Sequence, residues 1–140
     1  MRNNIFLNLV ALGSAAASFP SPVSAQFSQN YSDPCQNTGS MVDTSICMQK
    51  ALEEADAKLN EVYQKTMAVL EHYEKSALRK AQRSWIAYRD LECEAEATLY
   101  SGGSGKGLIR QSCLYSTTID RVASLDRGFG WKVEKFSDEM

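Results

Sequence analysis

The chain has 140 residues, enough for one domain, with 23% charged and 44% hydrophobic residues and a net charge of −2. That mild acidity disfavours nucleic acid as a partner and is compatible with a basic protein. One histidine and four cysteines without any CxxC spacing disfavour a metal centre, and no cofactor-binding motif is present.

Met1-Arg2 gives a positive start, Ile5 to Ala17 is an apolar run broken only by Asn8, Gly13 and Ser14, and Val23-Ser24-Ala25 supplies the small residues a signal peptidase reads. Residues 1–25 are therefore expected to be a signal peptide cleaved after Ala25. The run is short for a membrane span, and no cysteine follows closely enough to be lipidated. The expectation is a periplasmic or secreted product, with no membrane attachment after cleavage. Losing Arg2 lowers Lys+Arg from 15 to 14 against 17 acids, so the net charge becomes −3. In an exported chain of this size, an even number of cysteines reads as two disulfides, involving Cys35, Cys47, Cys93 and Cys113.

Residues 26–34 (QFSQNYSDP) are polar and aperiodic and read as a flexible leader. A helical domain is expected over 35–127. Its first helix starts near Ser40, where Ser40-x-x-Asp43 resembles a capping box. Met48, Leu52, Ala55, Leu59, Val62, Thr66, Val69 and Tyr73 then recur at spacings of four and three as one apolar seam. The opposite face carries Lys50, Glu54, Lys58, Glu61 and Lys65.

Beyond Tyr73 the seam slips, which places a break within His72 to Ser76. A second helix to about Tyr100 has Leu78, Ala81, Trp85 and Tyr88 on one face, and these aromatic residues predict that it lies buried between the other two. Ser101-Gly102-Gly103-Ser104-Gly105-Lys106-Gly107 is a loop, since each interior Gly costs a helix roughly 1 kcal/mol. A third helix has Leu108, Gln111, Tyr115, Thr118, Val122 and Leu125 in the same pattern and is expected to end at Gly128. Residues 128–140 remain as an aromatic tail. The predicted fold class is all-α, an antiparallel three-helix bundle.

Cys93 and Cys113 each lie ten residues from Gly103, so a hairpin about that loop brings them level. Pairing them leaves Cys35 with Cys47, although four cysteines allow three connectivities. The same hairpin logic, applied to helices one and two folded back about residue 75, sets Asn60 opposite Asp90 and brings Arg89 within reach of Asp56 or Asn60. A register-fixing polar network of Asp56, Asn60, Gln82 and Arg89 is expected.

Cys35 and Cys47, Ala55-Asp56-x-x-Leu59-Asn60-x-x-Tyr63, Ala81-Gln82-Arg83-x-Trp85-Ile86-x-Tyr88-Arg89-Asp90-x-x-Cys93, Gly102-Gly103-Ser104 and Cys113-Leu114 with Thr118 and Arg121 together resemble the LprI-like lysozyme inhibitors, a family of small exported bacterial proteins. The resemblance spans Cys35 to about Leu125. It implies a non-enzymatic binding protein with lysozyme as its partner. It differs from the namesake in lacking a lipid-attachment cysteine.

Catalytic machinery is not evident. His72 is the sole imidazole and has no nucleophile beside it in sequence. Asp56, Asp90 and Glu92 would need an open cleft to act as a glycosidase pair, and a closely packed bundle offers none. Inhibition of a basic enzyme with an acidic cleft calls for acidic rim patches and a protruding element. The stretch Ser101, Gly102, Gly103, Ser104 and Lys106 has the form of such an element, and equally that of a plain interhelical turn. The alternative is a periplasmic structural or stress-related helical module that binds another protein through the helix-one face or the aromatic tail.

Overall fold

The computed structural model describes residues 33–136, so the expected signal peptide and nearly all of the leader lie outside the described residues. Three helices follow one another, α1 over Met41–Val69, α2 over His72–Thr98 and α3 over Lys106–Phe136. Disulfides join Cys35 to Cys47 and Cys93 to Cys113, with Cα separations of 5.9 and 5.4 Å, the pairing that the hairpin about Gly103 predicts.

Ser40 caps α1, its hydroxyl accepting from the Asp43 backbone N–H and donating to Asp43 Oδ2. The apolar seam of α1 is real as far as Val69: Met48, Ala55, Leu59 and Thr66 are buried, and Leu52 and Val62 pack against the core. The break comes at Leu70 and Glu71, ahead of the expected His72 to Ser76. Both residues are extended, Leu70 turning into the core, while Glu71 and Glu74 form a reciprocal capping box for α2. A glutamate N-cap is a weak sequence signal, and Tyr73, assigned to the first seam, is instead an exposed residue of α2.

The central helix is α3, not α2. It packs along both partners, parallel to α1 and antiparallel to α2, whereas α1 and α2 scarcely meet. The reason lies in the phase of α2. Its inward face runs through Leu78, Gln82, Trp85, Arg89, Cys93 and Ala97, one residue on from the expected Ala81 and Tyr88. Gln82 and Arg89 point inward because α1 and α3 supply polar partners; Leu78 and Trp85 belong to both the expected and the observed face, so α2 is turned by only part of the roughly 100° that separates successive residues. Tyr88 is therefore 56% exposed rather than internal, and Trp85 is half-buried.

The helix α3 also continues past Gly128, the expected stop. Phe129 packs against the Leu59, Leu70, Leu78 and Leu125 cluster, and Lys132 Nζ donates to Glu74 Oε2 at 2.6 Å. These contacts offset the roughly 1 kcal/mol each that Gly128 and Gly130 cost a helix. Part of the expected tail is thus structural.

Leu125 is 1% exposed at the centre of the main cluster, so Leu125→Ala is expected to cost about 2–5 kcal/mol. Tyr88→Ala should stay within about 0.5 kcal/mol of the parent. Urea unfolding followed by circular dichroism separates the two; equal losses would contradict the observed rotation of α2.

Candidate functional site

Two surfaces bring together the residues singled out in the sequence. The first is built around Arg89, whose side chain is only 15% exposed. Its Nη1 donates to Asp56 Oδ1 on α1 at 3.0 Å and to Thr118 Oγ1 on α3 at 3.1 Å, while Nε donates to Asp90 Oδ1 at 3.1 Å. One guanidinium therefore links all three helices. Gln82, about two turns away, accepts from Arg121 Nε at 3.0 Å, and the guanidiniums of Arg89 and Arg121 lie over the Trp85 ring at 5.2 and 5.7 Å.

The predicted network is thus present in part. Arg89 reaches Asp56 as expected, and Thr118 and Arg121 join in. Asn60 does not: it is exposed and makes no side-chain hydrogen bond among the described residues, because the break at Leu70 shifts the register of α2 and takes Asp90 out of its place opposite Asn60. Asp56 and Asp90 share the same arginine, which is no arrangement for an acid and base across a glycosidic bond.

Because α1 and α2 stand apart, an open groove of about 510 Å³ runs between them, contrary to the expectation of a cleftless bundle. Asp56, Leu59, Asn60 and Tyr63 line one side; Arg79, Gln82, Arg83, Trp85, Ile86 and Arg89 line the other. Periodicity alone could not reveal it, since it depends on the polar face of α2 turning inward.

The second surface is the loop end. Both disulfides sit there, pinning Cys35 to the second turn of α1 and the last turns of α2 to the start of α3. Ser45 Oγ donates to Gln111 Oε1, fastening α1 to α3 at the same level. Ser101, Gly102, Gly103 and Ser104 are all exposed, and Gly102, at φ +97°, occupies a conformation that side chains resist. Lys106 is the first residue of α3 rather than a free loop cation; it donates to Glu94 Oε1 at 2.7 Å, and Arg110 meets Glu94 Oε2 at 3.2 Å.

Around this loop Met41, Leu99 and Tyr100 are exposed, Leu99 by 81%, with Ser104 touching the Met41 sulfur. Glu92 and Glu96 are exposed on the last turns of α2, have no ion-pair partner among the described residues, and stand at a helix end with no basic residue in its final turn. These flanking residues were not singled out as part of the loop site. The run Leu99-Tyr100 next to glycines was the available signal. Among the described residues no cluster of His, Cys, Asp or Glu could hold a metal, and no helix is long and apolar enough to cross a membrane.

Arg89→Ala removes the donor shared by Asp56 and the buried Thr118 hydroxyl, which keeps only its longer bond to Asp56 Oδ1 at 3.5 Å, so it should destabilise the fold by about 1.5–3 kcal/mol in denaturant titrations. Arg89→Lys should recover only part, because an ammonium lacks the planar fork. At the loop end, the Lys106 hydrogen bond, then the charges of Lys106 and Arg110, hold the Glu94 carboxyl below the usual glutamate range. A carboxyl depressed on folding stabilises above its unfolded value, about 4.3, and that contribution is lost as pH falls through the folded one. Thermal melts between pH 7 and 3 should show a decline that is smaller in Glu94→Gln.

A model of the lysozyme inhibitor LprI family matches residues 32–125. An uncharacterized protein of Rhizobium meliloti (strain 1021) is 34% identical over 104 residues, covering 65% of this chain and 75% of its own length. No solved structure matches.

Proposed function

The chain belongs to the LprI lysozyme inhibitor family, and from that premise and the geometry of the loop end we propose that the exported protein binds a lysozyme and blocks it stoichiometrically, without catalysing a reaction. The observation that carries the reading is the concentration of features at one end. A glycine-rich turn stands exposed on a base held by the Cys93–Cys113 disulfide and the Glu94 pairs, beside the end of α1 that Cys35–Cys47 fastens, with Leu99, Tyr100 and Met41 around it and Glu92 and Glu96 behind.

Each feature answers a requirement of tight binding. Fixing the loop base before contact lowers the ordering cost of association. Exposed apolar and aromatic side chains beside a small protruding turn match the anchor and pocket pattern of binding hot spots. The unpaired carboxylates attract a basic enzyme and set its approach. Lys106 serves here as a brace through Glu94, and Ser101, Gly102, Gly103 and Ser104 form the inserting element.

The mature protein should slow lysis of a bacterial cell-wall suspension by lysozyme, followed as turbidity, and saturate at one inhibitor per enzyme. Gly103 has a backbone conformation and surroundings that accept a side chain, so Gly103→Trp should fold normally, leave the helical circular dichroism unchanged and lose about tenfold or more in affinity. Raising salt from 0.1 to 1 M shortens the Debye length from about 10 to about 3 Å and should weaken binding in the parent more than in Glu92→Gln/Glu96→Gln. Full inhibition by Gly103→Trp would move the contact off the loop. Absence of inhibition of any lysozyme type by the parent would leave the helical module with another partner.

A further inference from the structure

We propose that the groove between α1 and α2 is a second binding site, which takes an acidic, extended segment of a partner protein through Arg79 and Arg83. Its lining holds three guanidiniums, those of Arg79, Arg83 and Arg89, against one carboxylate, Asp56, which Arg89 already engages. Arg79 and Arg83 are exposed and have no ion-pair partner among the described residues. Within a chain of net charge −2, the groove is a local cationic surplus.

Spacing argues for an extended peptide. Arg79 and Arg83 are four apart on α2, which sets their Cβ atoms about 5–6 Å apart along one face. Alternate side chains of an extended strand repeat at about 6.4–6.8 Å, so two acidic residues separated by one other match the pair of arginines. Each guanidinium can grip a carboxylate with two parallel hydrogen bonds. Across the groove Asn60 offers an exposed amide with no side-chain partner among the described residues, suited to a peptide main chain, and Ile86 and Tyr63 provide apolar walls.

Other ligands fit less well. A neutral sugar chain could meet Tyr63 but would leave the charges of Arg79 and Arg83 unanswered, and the Trp85 ring is already covered by Arg89 and Arg121. A nucleic acid would continue along α2 into Asp90, Glu92, Glu94 and Glu96, which repel a polyanion beyond Arg89.

The test is fluorescence anisotropy of a labelled short peptide of alternating glutamate and serine, titrated with the intact mature protein at low salt. Saturable binding is expected, and a lysine and serine peptide should not bind. Arg79→Glu/Arg83→Glu should lose about tenfold or more in affinity. Both side chains are exposed, so helicity should persist; Arg79→Gln/Arg83→Gln, which removes charge without reversing it, should show a smaller loss in the same direction. No saturable binding by the parent, or binding retained in both double variants, would overturn the proposal. So would equal displacement of the peptide by a chito-oligosaccharide or by an oligothymidylate. The site is separate from the proposed lysozyme contact: Arg79→Glu/Arg83→Glu should inhibit lysozyme as the parent does, and Gly103→Trp should bind the peptide as the parent does. Loss of inhibition in the arginine variant would overturn the assignment to a different partner.

Discussion

A charged side chain in the interior sets the geometry of this protein. Arg89 cannot enter the bundle without partners, since an uncompensated guanidinium away from water costs several kcal/mol. Asp56 on α1, Thr118 on α3 and Asp90 on its own helix meet that requirement from three directions. The position of the guanidinium therefore fixes the rotation of α2 relative to both neighbours. Gln82, held by Arg121, repeats the constraint about two turns away. With these polar groups facing α3, the bulk available to close α2 directly onto α1 is missing, and the groove follows from the same arrangement that fixes the register.

Rigidity is supplied differently at the two ends. At the loop end it is covalent, with the disulfides crossing between α2 and α3 and between α1 and the segment before it. At the opposite end it is packing and charge: Leu70 plugs the bend, Phe129 covers the cluster, and Glu74 both caps α2 and pairs with Lys132. The Lys132 hydrogen bond, followed by the Glu71 backbone N–H, holds the Glu74 carboxyl below its usual range, so this closure is an acid-sensitive one while the disulfides are not. The charge of α2 divides in the same sense, with Lys75, Arg79, Lys80 and Arg83 in its first half and Asp90, Glu92, Glu94 and Glu96 in its second.

Much of this was legible in the residues. The α1 seam, the Ser40 cap, the loop and the disulfide pairing all depend on local spacing, which sequence displays directly. The pairing of Arg89 with Asp56 was also within reach, because folding helices one and two back on each other brings Arg89 level with the turn of α1 that holds Asp56 and Asn60. The misread face of α2 and the misread end of α3 share one cause. Reading Ala81 and Tyr88 as core, and Gly128 as a stop, scores each residue for its own preference. The folded chain scores combinations: Gln82 and Arg89 go inward because Arg121, Asp56 and Thr118 receive them, and α3 passes Gly128 because Phe129 and Lys132 find partners on the far side.

The motif running from Gln82 to Cys93 consequently has two faces with two roles. Gln82, Trp85, Arg89 and Cys93 are turned toward α3 and hold the frame through a hydrogen bond, stacked cations, an ion pair and a disulfide. Gln82, Trp85 and Arg89 also reach the groove, whereas Arg83 and Ile86, interleaved with them, contribute nothing to that frame and serve only as its lining. Interleaving is a necessity of the helix, because successive residues about 100° apart cannot share a face. A continuous block of this kind therefore combines frame residues, which fix where the groove lies, with rim residues, which determine its charge. Changing Gln82 or Arg89 leaves a partner on another helix without its bond, whereas Arg79 and Arg83 can change alone, so recognition at the groove is free to vary while the fold stays as it is.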